Sequence, residues 1–157
     1  MIVSASRRTD IPAFFGEWFI NRINEGFCCS VNPFNPGQVK RVSLLPEDVD
    51  TIVFWTKNPA PFMKHLDYLD SKGYRYYFQF TLNDYPTVFE PNVPPVEERI
   101  TSFINLSRKI SAPKVVWRYD PIVISSITPI EYHLKRISAL AGRLKGCTER
   151  LVISFMD

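Results

Sequence analysis

Six short apolar runs punctuate the chain, and each passes directly into polar or charged residues. Ile2-Val3 leads into 4–10, residues 28–31 lead into Asn32 and Asn35, and residues 52–54 lead into Trp55-Thr56-Lys57-Asn58. Residues 76–80 open onto 81–84, Val115-Val116-Trp117 onto Arg118-Tyr119-Asp120, and 151–155 onto Asp157. Near-continuous apolar runs are what parallel strands covered by helices require. Helical patterns separate most of them. The pattern predicts an α/β fold, a partial or truncated (β/α) TIM-like barrel of about six parallel strands alternating with helices, with its chemistry at the C-terminal strand ends.

The helix signals are distinct. Asp10 and Pro12 predict a helix start, with Phe14, Phe15, Trp18, Phe19 and Ile23 as its apolar face and a stop near Gly26. Asn58-Pro59 starts a second helix carrying Phe62, Leu66 and Leu69, ended at Gly73. Pro94-Pro95 begins a third, with Ile100, Phe103, Ile104, Leu106 and Ile110 at helical spacing. Thr128-Pro129-Ile130-Glu131 has the form of a capping box, opening a helix that carries Ile130, Leu134, Ile137, Ala141 and Leu144. A brief extended piece is expected at 42–45, and the proline-rich stretch 86–95 is expected to loop over the strand ends.

A complete barrel has eight strands, and six are predicted. A sixth strand with no covering helix leaves an apolar edge, through which the chain could associate with itself. The expectation is therefore a single barrel-like domain over 1–157, the N-terminal part of a longer protein.

Composition adds limits. The 157 residues suit one domain with a proper core. A net charge of +3 is too small to argue for nucleic acid by itself. No run approaches the ~18 apolar residues of a membrane span, and no signal-peptide pattern opens the chain. Three cysteines make no disulfide framework. A cytoplasmic protein is the expectation, with a small polar or anionic ligand as its partner.

The stretch Ser4-Ala5-Ser6-Arg7-Arg8-Thr9-Asp10 stands between a buried strand and a helix start. Helix N-termini favour anions, and arginine forks match phosphate or carboxylate, so Ser6, Arg7, Arg8 and Asp10 are candidate anion binders. The alternative is that Arg7 or Arg8 pairs with Asp10, Asp120 or Asp157 to tie strand ends together. Asn32 and Asn35 could hydrogen-bond a polar ligand, or serve as turn residues beside Pro33 and Pro36. Lys57 is a candidate anion clamp, general base or Schiff-base amine if desolvated; otherwise it is a solvated lysine. Gln79, Thr81 and Asn83 alternate and share one side of their strand, where they either line a lumen or form an internally satisfied polar layer. Arg118 and Asp120 also share a face. They form an ion pair, or Arg118 meets the ligand and Asp120 is the general base or a metal ligand, with Ser154 and Asp157 as neighbours. His65 and His133 fall on helices and read as structural or solvated. Cys28 and Cys29 face opposite sides of a strand, and no metal-type spacing occurs.

Together these motifs resemble domain-of-unknown-function family 1848. The matching segments are residues 4–13 (SASRRTDIPA), 32–36 (NPFNP), 46–59 (PEDVDTIVFWTKNP), 77–82 (YFQFTL), 90–95 (EPNVPP), 117–122 (WRYDPI) and 152–155 (VISF), so the resemblance covers essentially the whole chain. Members of that family are roughly twice this length, and their C-terminal region carries a cysteine cluster resembling that of radical S-adenosylmethionine enzymes. The resemblance implies an iron–sulfur cluster and S-adenosylmethionine in a full-length protein, with none bound by this chain alone. No family position for a cluster ligand falls on these residues. Cluster-free hydrolase or lyase chemistry on a phosphorylated metabolite, a non-catalytic nucleic-acid-binding module and an inactive fragment stand as alternatives.

Overall fold

The computed structural model describes residues 1–6, 9–32 and 34–156. Arg7, Arg8, Pro33 and Asp157 lie outside the described residues. The chain runs β1 (Ile2–Ala5), α1 (Ile11–Phe14), α2 (Gly16–Glu25), β2 (Phe27–Asn32), β3 (Asn35–Ser43), β4 (Thr51–Thr56), α3 (Leu66–Ser71), β5 (Tyr76–Thr81), α4 (Val96–Ile110), β6 (Val115–Ile122), α5 (Ile130–Leu144) and β7 (Leu151–Phe155). Short 3-10 turns at Pro46–Asp48, Ala60–His65 and Ala112–Lys114 complete the order. No helix among the described residues is long and apolar enough to cross a membrane.

Among the described residues the strands form two sheets. Five parallel strands stand in the order β1-β4-β5-β6-β7, and β2 and β3 form a separate antiparallel pair. The order of the main sheet follows the chain without reversal. With right-handed crossovers, such an order puts every connecting helix on one face. The core bears this out: Phe19 and Ile23 of α2, Leu66 and Leu69 of α3, Phe103 and Leu106 of α4, and Leu140 and Leu144 of α5 join one cluster with Phe54, Phe78, Phe80, Trp117 and Tyr119 from the strands. Val53 and Val116 are buried too, but on the opposite face, outside that cluster.

The parallel, helix-alternating architecture is as the apolar runs predict, but one run is placed differently. Residues 28–31 do not join the parallel sheet. They pair with β3, which takes in residues 42–43 of the extended piece expected at 42–45 and ends at Ser43. The turn chemistry of 32–37 between two β-forming runs is a hairpin signal, and α2 already provides the crossover from β1 toward β4. Among the described residues the parallel sheet thus has five strands where about six are expected.

The helix expected from Asn58-Pro59 is a 3-10 turn over Ala60–His65 before α3 begins at Leu66, and three other helix expectations also change. The segment after Asp10 breaks at Phe15, which ends α1 and begins α2. Phe19 and Ile23 are buried, whereas Phe14, Phe15 and Trp18 are exposed. Asp10 does cap the first turn, accepting from Ala13 N at 3.0 Å. Gly26 closes α2 at φ 73°, a conformation that favours glycine. Thr128 makes no capping box: its hydroxyl donates to Val123 O at 2.7 Å, and α5 starts without a side-chain cap. α5 also turns His133, Leu140 and Leu144 inward and leaves Ile130 and Leu134 exposed.

Candidate functional site

The register puts Ser4, Trp55, Gln79, Thr81, Arg118 and Val152 on the face away from the helices. Side chains there connect across the sheet. Trp55 Nε1 donates to Ser4 Oγ at 3.1 Å, joining β4 to β1. The Arg118 guanidinium lies over the Trp55 ring, 4.5 Å from its centroid, spanning β5. Arg118 Nε donates to Asp120 Oδ2 at 3.0 Å and Nη2 donates to the same oxygen, while Ser154 of β7 donates to Asp120 Oδ1. A continuous polar row therefore crosses the open face from β1 to β7.

The ion pair foreseen between Arg118 and Asp120 is present, with both side chains largely buried. Burial pushes the Asp120 carboxyl up. The hydrogen bonds from Ser154 and Arg118 and the charges of Arg118 and Lys57 outweigh it, and the net shift is downward. Asp120 is thus held as a carboxylate. A general base works best with a pKa near the operating pH, so Asp120 is better fitted to orient Arg118 than to take a proton.

Asn83 does not line the open face. Fully buried, it donates from Nδ2 to Asp120 O at 3.1 Å and accepts from Asp120 N at 3.0 Å, extending the β5–β6 pairing by one side chain. Gln79 and Thr81 do lie on the open face, in register with Trp55 and Arg118. Gln79 Oε1 is buried without a hydrogen-bond partner. Such an acceptor is costly to leave unpaired.

Beyond β4, the Lys57 ammonium contacts Glu90 Oε1, and the Lys57 backbone N–H donates to Asp10 Oδ2 at 2.7 Å. Asp10 therefore fastens the loop after β4 to the loop after β1. Burial raises its pKa, opposed by the donors from Lys57, Thr56, Ala13 and Asn58. Its carboxylate oxygens serve these internal contacts. Ser6 takes a positive φ of 85° and accepts from Ile11 N at 3.2 Å. A non-glycine residue there is strained.

Asn32 and Asn35 lie in the hairpin, apart from the polar row. Asn32 accepts from Phe34 N at 3.0 Å and donates to Gln38 Oε1 at 2.7 Å, the turn chemistry weighed above. A cavity of about 850 Å³ lies between β1, α2 and β2, lined by Ser4, Ser6, Trp18, Arg22, Cys28 and Asn32 among others. It adjoins the polar row at Ser4.

A match over residues 2–157 decides the family. The chain belongs to the family described as Domain of unknown function (DUF1848). No curated protein matches it, and no solved structure does. In this DUF1848 chain, the matched length takes in both the polar row and the hairpin beside β1.

Three participants escaped the sequence reading. Ser4 was part of the singled-out stretch but not assigned a role, and only strand register brings it to Trp55. Glu90 comes from the proline-rich connection, 33 positions from Lys57. Arg99 did leave a signal. It falls on the same helical stripe as Phe103 and Ser107, and all three are buried. An arginine on an apolar stripe must find internal partners; its Nε donates to Pro94 O at 3.0 Å and its Nη2 to Asn83 O at 2.7 Å. His133, expected on the barrel exterior, is buried between Tyr119 Oη at 2.9 Å and Val123 O at 3.0 Å, a structural role.

Proposed function

We propose that this chain is an enzyme module that binds a polar, anionic small molecule at the C-terminal ends of its parallel strands, the sheet being an arc of a β/α barrel. One observation carries the reading: the polar row from Ser4 to Ser154 crosses the sheet face that no helix among the described residues covers. Polar side chains gathered at successive C-terminal strand ends are how such barrels assemble sites. Arg118, braced by Asp120 and Trp55, and Lys57 supply the positive charge. Gln79 offers an unpaired acceptor, and Thr81 a neighbouring hydroxyl.

The family resemblance implies an iron–sulfur cluster in longer proteins. Such a cluster is held by converging thiolates. Here Cys28 and Cys29 are successive residues of β2, and Cys147 follows α5. Among the described residues no three potential ligands come together to hold a metal. These residues do not fit the group, and no step of the proposed function runs through it. The same reading makes the bare edge of β7 a contact between copies of the chain, because Leu151, Ile153 and Phe155 are exposed there.

The test is anion protection. Sulfate should raise the melting temperature of the wild type, and Lys57→Met or Arg118→Gln should remove most of that rise. Equal protection of all three proteins would sink the reading.

A further inference from the structure

Glu90 stands where a ligand would be expected. Its Oε1 meets the Lys57 ammonium, the half-exposed cation at the end of β4, yet Glu90 itself is nearly enclosed, at 11% side-chain exposure. Its other oxygen, Oε2, is buried and has no hydrogen-bond partner. Nearby, Arg99 is fixed by its bonds to Pro94 O and Asn83 O, and its Nη1 is also buried and unpartnered. Glu90 Oε2 and Arg99 Nη2 are 3.9 Å apart, an ion-pair distance but too long for a hydrogen bond. The carboxylate thus has two cations within reach and hydrogen-bonds to only one.

Glu90 therefore stands between two candidate partners. A small movement of Glu90 toward Arg99 would bring the unpartnered Oε2 from 3.9 Å into hydrogen-bond reach of Nη2, and would draw Oε1 away from Lys57. Displacing a buried carboxylate from its only cation would strand a charge, which is strongly unfavourable. Here the second cation is already in place, so Lys57 can change partner without that penalty. Arg99 cannot follow Lys57, because two backbone carbonyls hold it.

Resting on the anion-binding function proposed above, we infer that Glu90 is a built-in competitor for Lys57, and that the ligand displacing it toward Arg99 carries a dianionic group of the phosphate type, not a single carboxylate. An intramolecular carboxylate acts at high effective concentration. An external monocarboxylate brings the same charge without that advantage. A dianion doubles the Coulombic attraction to Lys57. Glu90 therefore sets which anions are accepted. Because its contact with Lys57 ties the connection from β5 to α4 to the end of β4, its displacement also loosens that connection.

The experiment titrates sulfate and acetate, at matched ionic strength, into the wild type, Glu90→Gln and Lys57→Met, and follows hydrogen exchange of the 87–93 amides. The wild type should bind sulfate at least about tenfold more tightly than acetate. Glu90→Gln should tighten acetate about tenfold and sulfate less, so that the preference narrows. Sulfate should speed exchange at 87–93 in the wild type, an outcome that needs no variant to fold. If Lys57→Met abolishes sulfate binding while Glu90→Gln leaves both affinities unchanged, the competitor is overturned and the anion site stands. Sulfate bound without faster exchange at 87–93 also overturns it. Equal wild-type affinity for the two anions overturns the dianion preference. No binding to either the wild type or Glu90→Gln overturns both the competitor and the anion site.

Discussion

Phe54 and Trp55 are adjacent in β4 and belong to different environments. Phe54 is fully buried on the helix face, 5.0 Å from the Phe78 ring, 4.9 Å from Phe62 and 5.4 Å from Phe19, centroid to centroid. Trp55, on the open face, gives its indole N–H to Ser4 and its ring to Arg118. One face is a dry aromatic core; the other, over which no helix among the described residues lies, carries a row of hydrogen bonds and charge beside the buried Val53 and Val116. Alternation along a strand makes this separation possible. A single sheet holds the fold with one side and presents polar chemistry with the other.

The contrast is broken most severely from the helix side. Phe54→Ala should destabilise the fold by about 3–5 kcal/mol, the cost of a large cavity in a packed core. Trp55→Ala should cost far less, about 1 kcal/mol for the lost contact with Arg118, and should weaken sulfate binding. Denaturant midpoints measure both. Equal losses would mean that the open face is as much a part of the core as the helix face.

A smaller effect separates two carboxylates by pH. Asp120 has its folded pKa below the unfolded value, so its stabilisation is present above about pH 3.9 and fades as the pH falls through the folded value. Asp10 has its folded pKa raised by burial, so the fold loses stability as the pH rises from about 3.9 through that raised value. Relative to wild type, the deficit of Asp120→Asn should widen as the pH rises, and that of Asp10→Asn should narrow. Unfolding midpoints at a series of pH values between about 3 and 7 read both slopes. Parallel slopes would contradict the different environments assigned to the two residues.

The smallest stability effect belongs to the sheet edge. Ile153→Thr with Phe155→Thr should change the unfolding free energy by no more than about 0.5 kcal/mol, since both side chains are largely solvated. The same pair should shift a self-associating protein toward monomer in size-exclusion chromatography. Unchanged elution of an associating protein would move the contact away from β7.

Much of this was legible in the chain. Three of the six apolar runs are buried central strands of the parallel sheet, and β1 and β7 join them at its two edges. A run reports burial on both faces, and the central strands have it, with Phe54 and Trp117 buried beneath the helices and Val53 and Val116 buried opposite them. The second run reads the same way because a half-covered hairpin strand can carry the same residues. Arg118 with Asp120 was visible as a pair two positions apart, and their strand spacing alone gave them a shared face. Lys57 with Glu90 was not visible, because that meeting depends on the path of a long connection between β5 and α4.

By itself the sequence determined where the strands and most helices lie, that the charged and amide groups follow the strands' C-terminal ends, and which family the chain belongs to. Those properties are local, written in periodicity, caps and contiguous motifs. The tertiary structure alone decided that Asn83 braces Asp120 from within and that Lys57 meets Glu90 with Arg99 behind it, and it chose the hairpin that the turn chemistry of 32–37 allows over the parallel strand that residues 28–31 also allow. The reason is physical. A residue's burial depends largely on the pattern around it, whereas its partner depends on which strand edges and loops converge, and that is set only when the whole chain has packed.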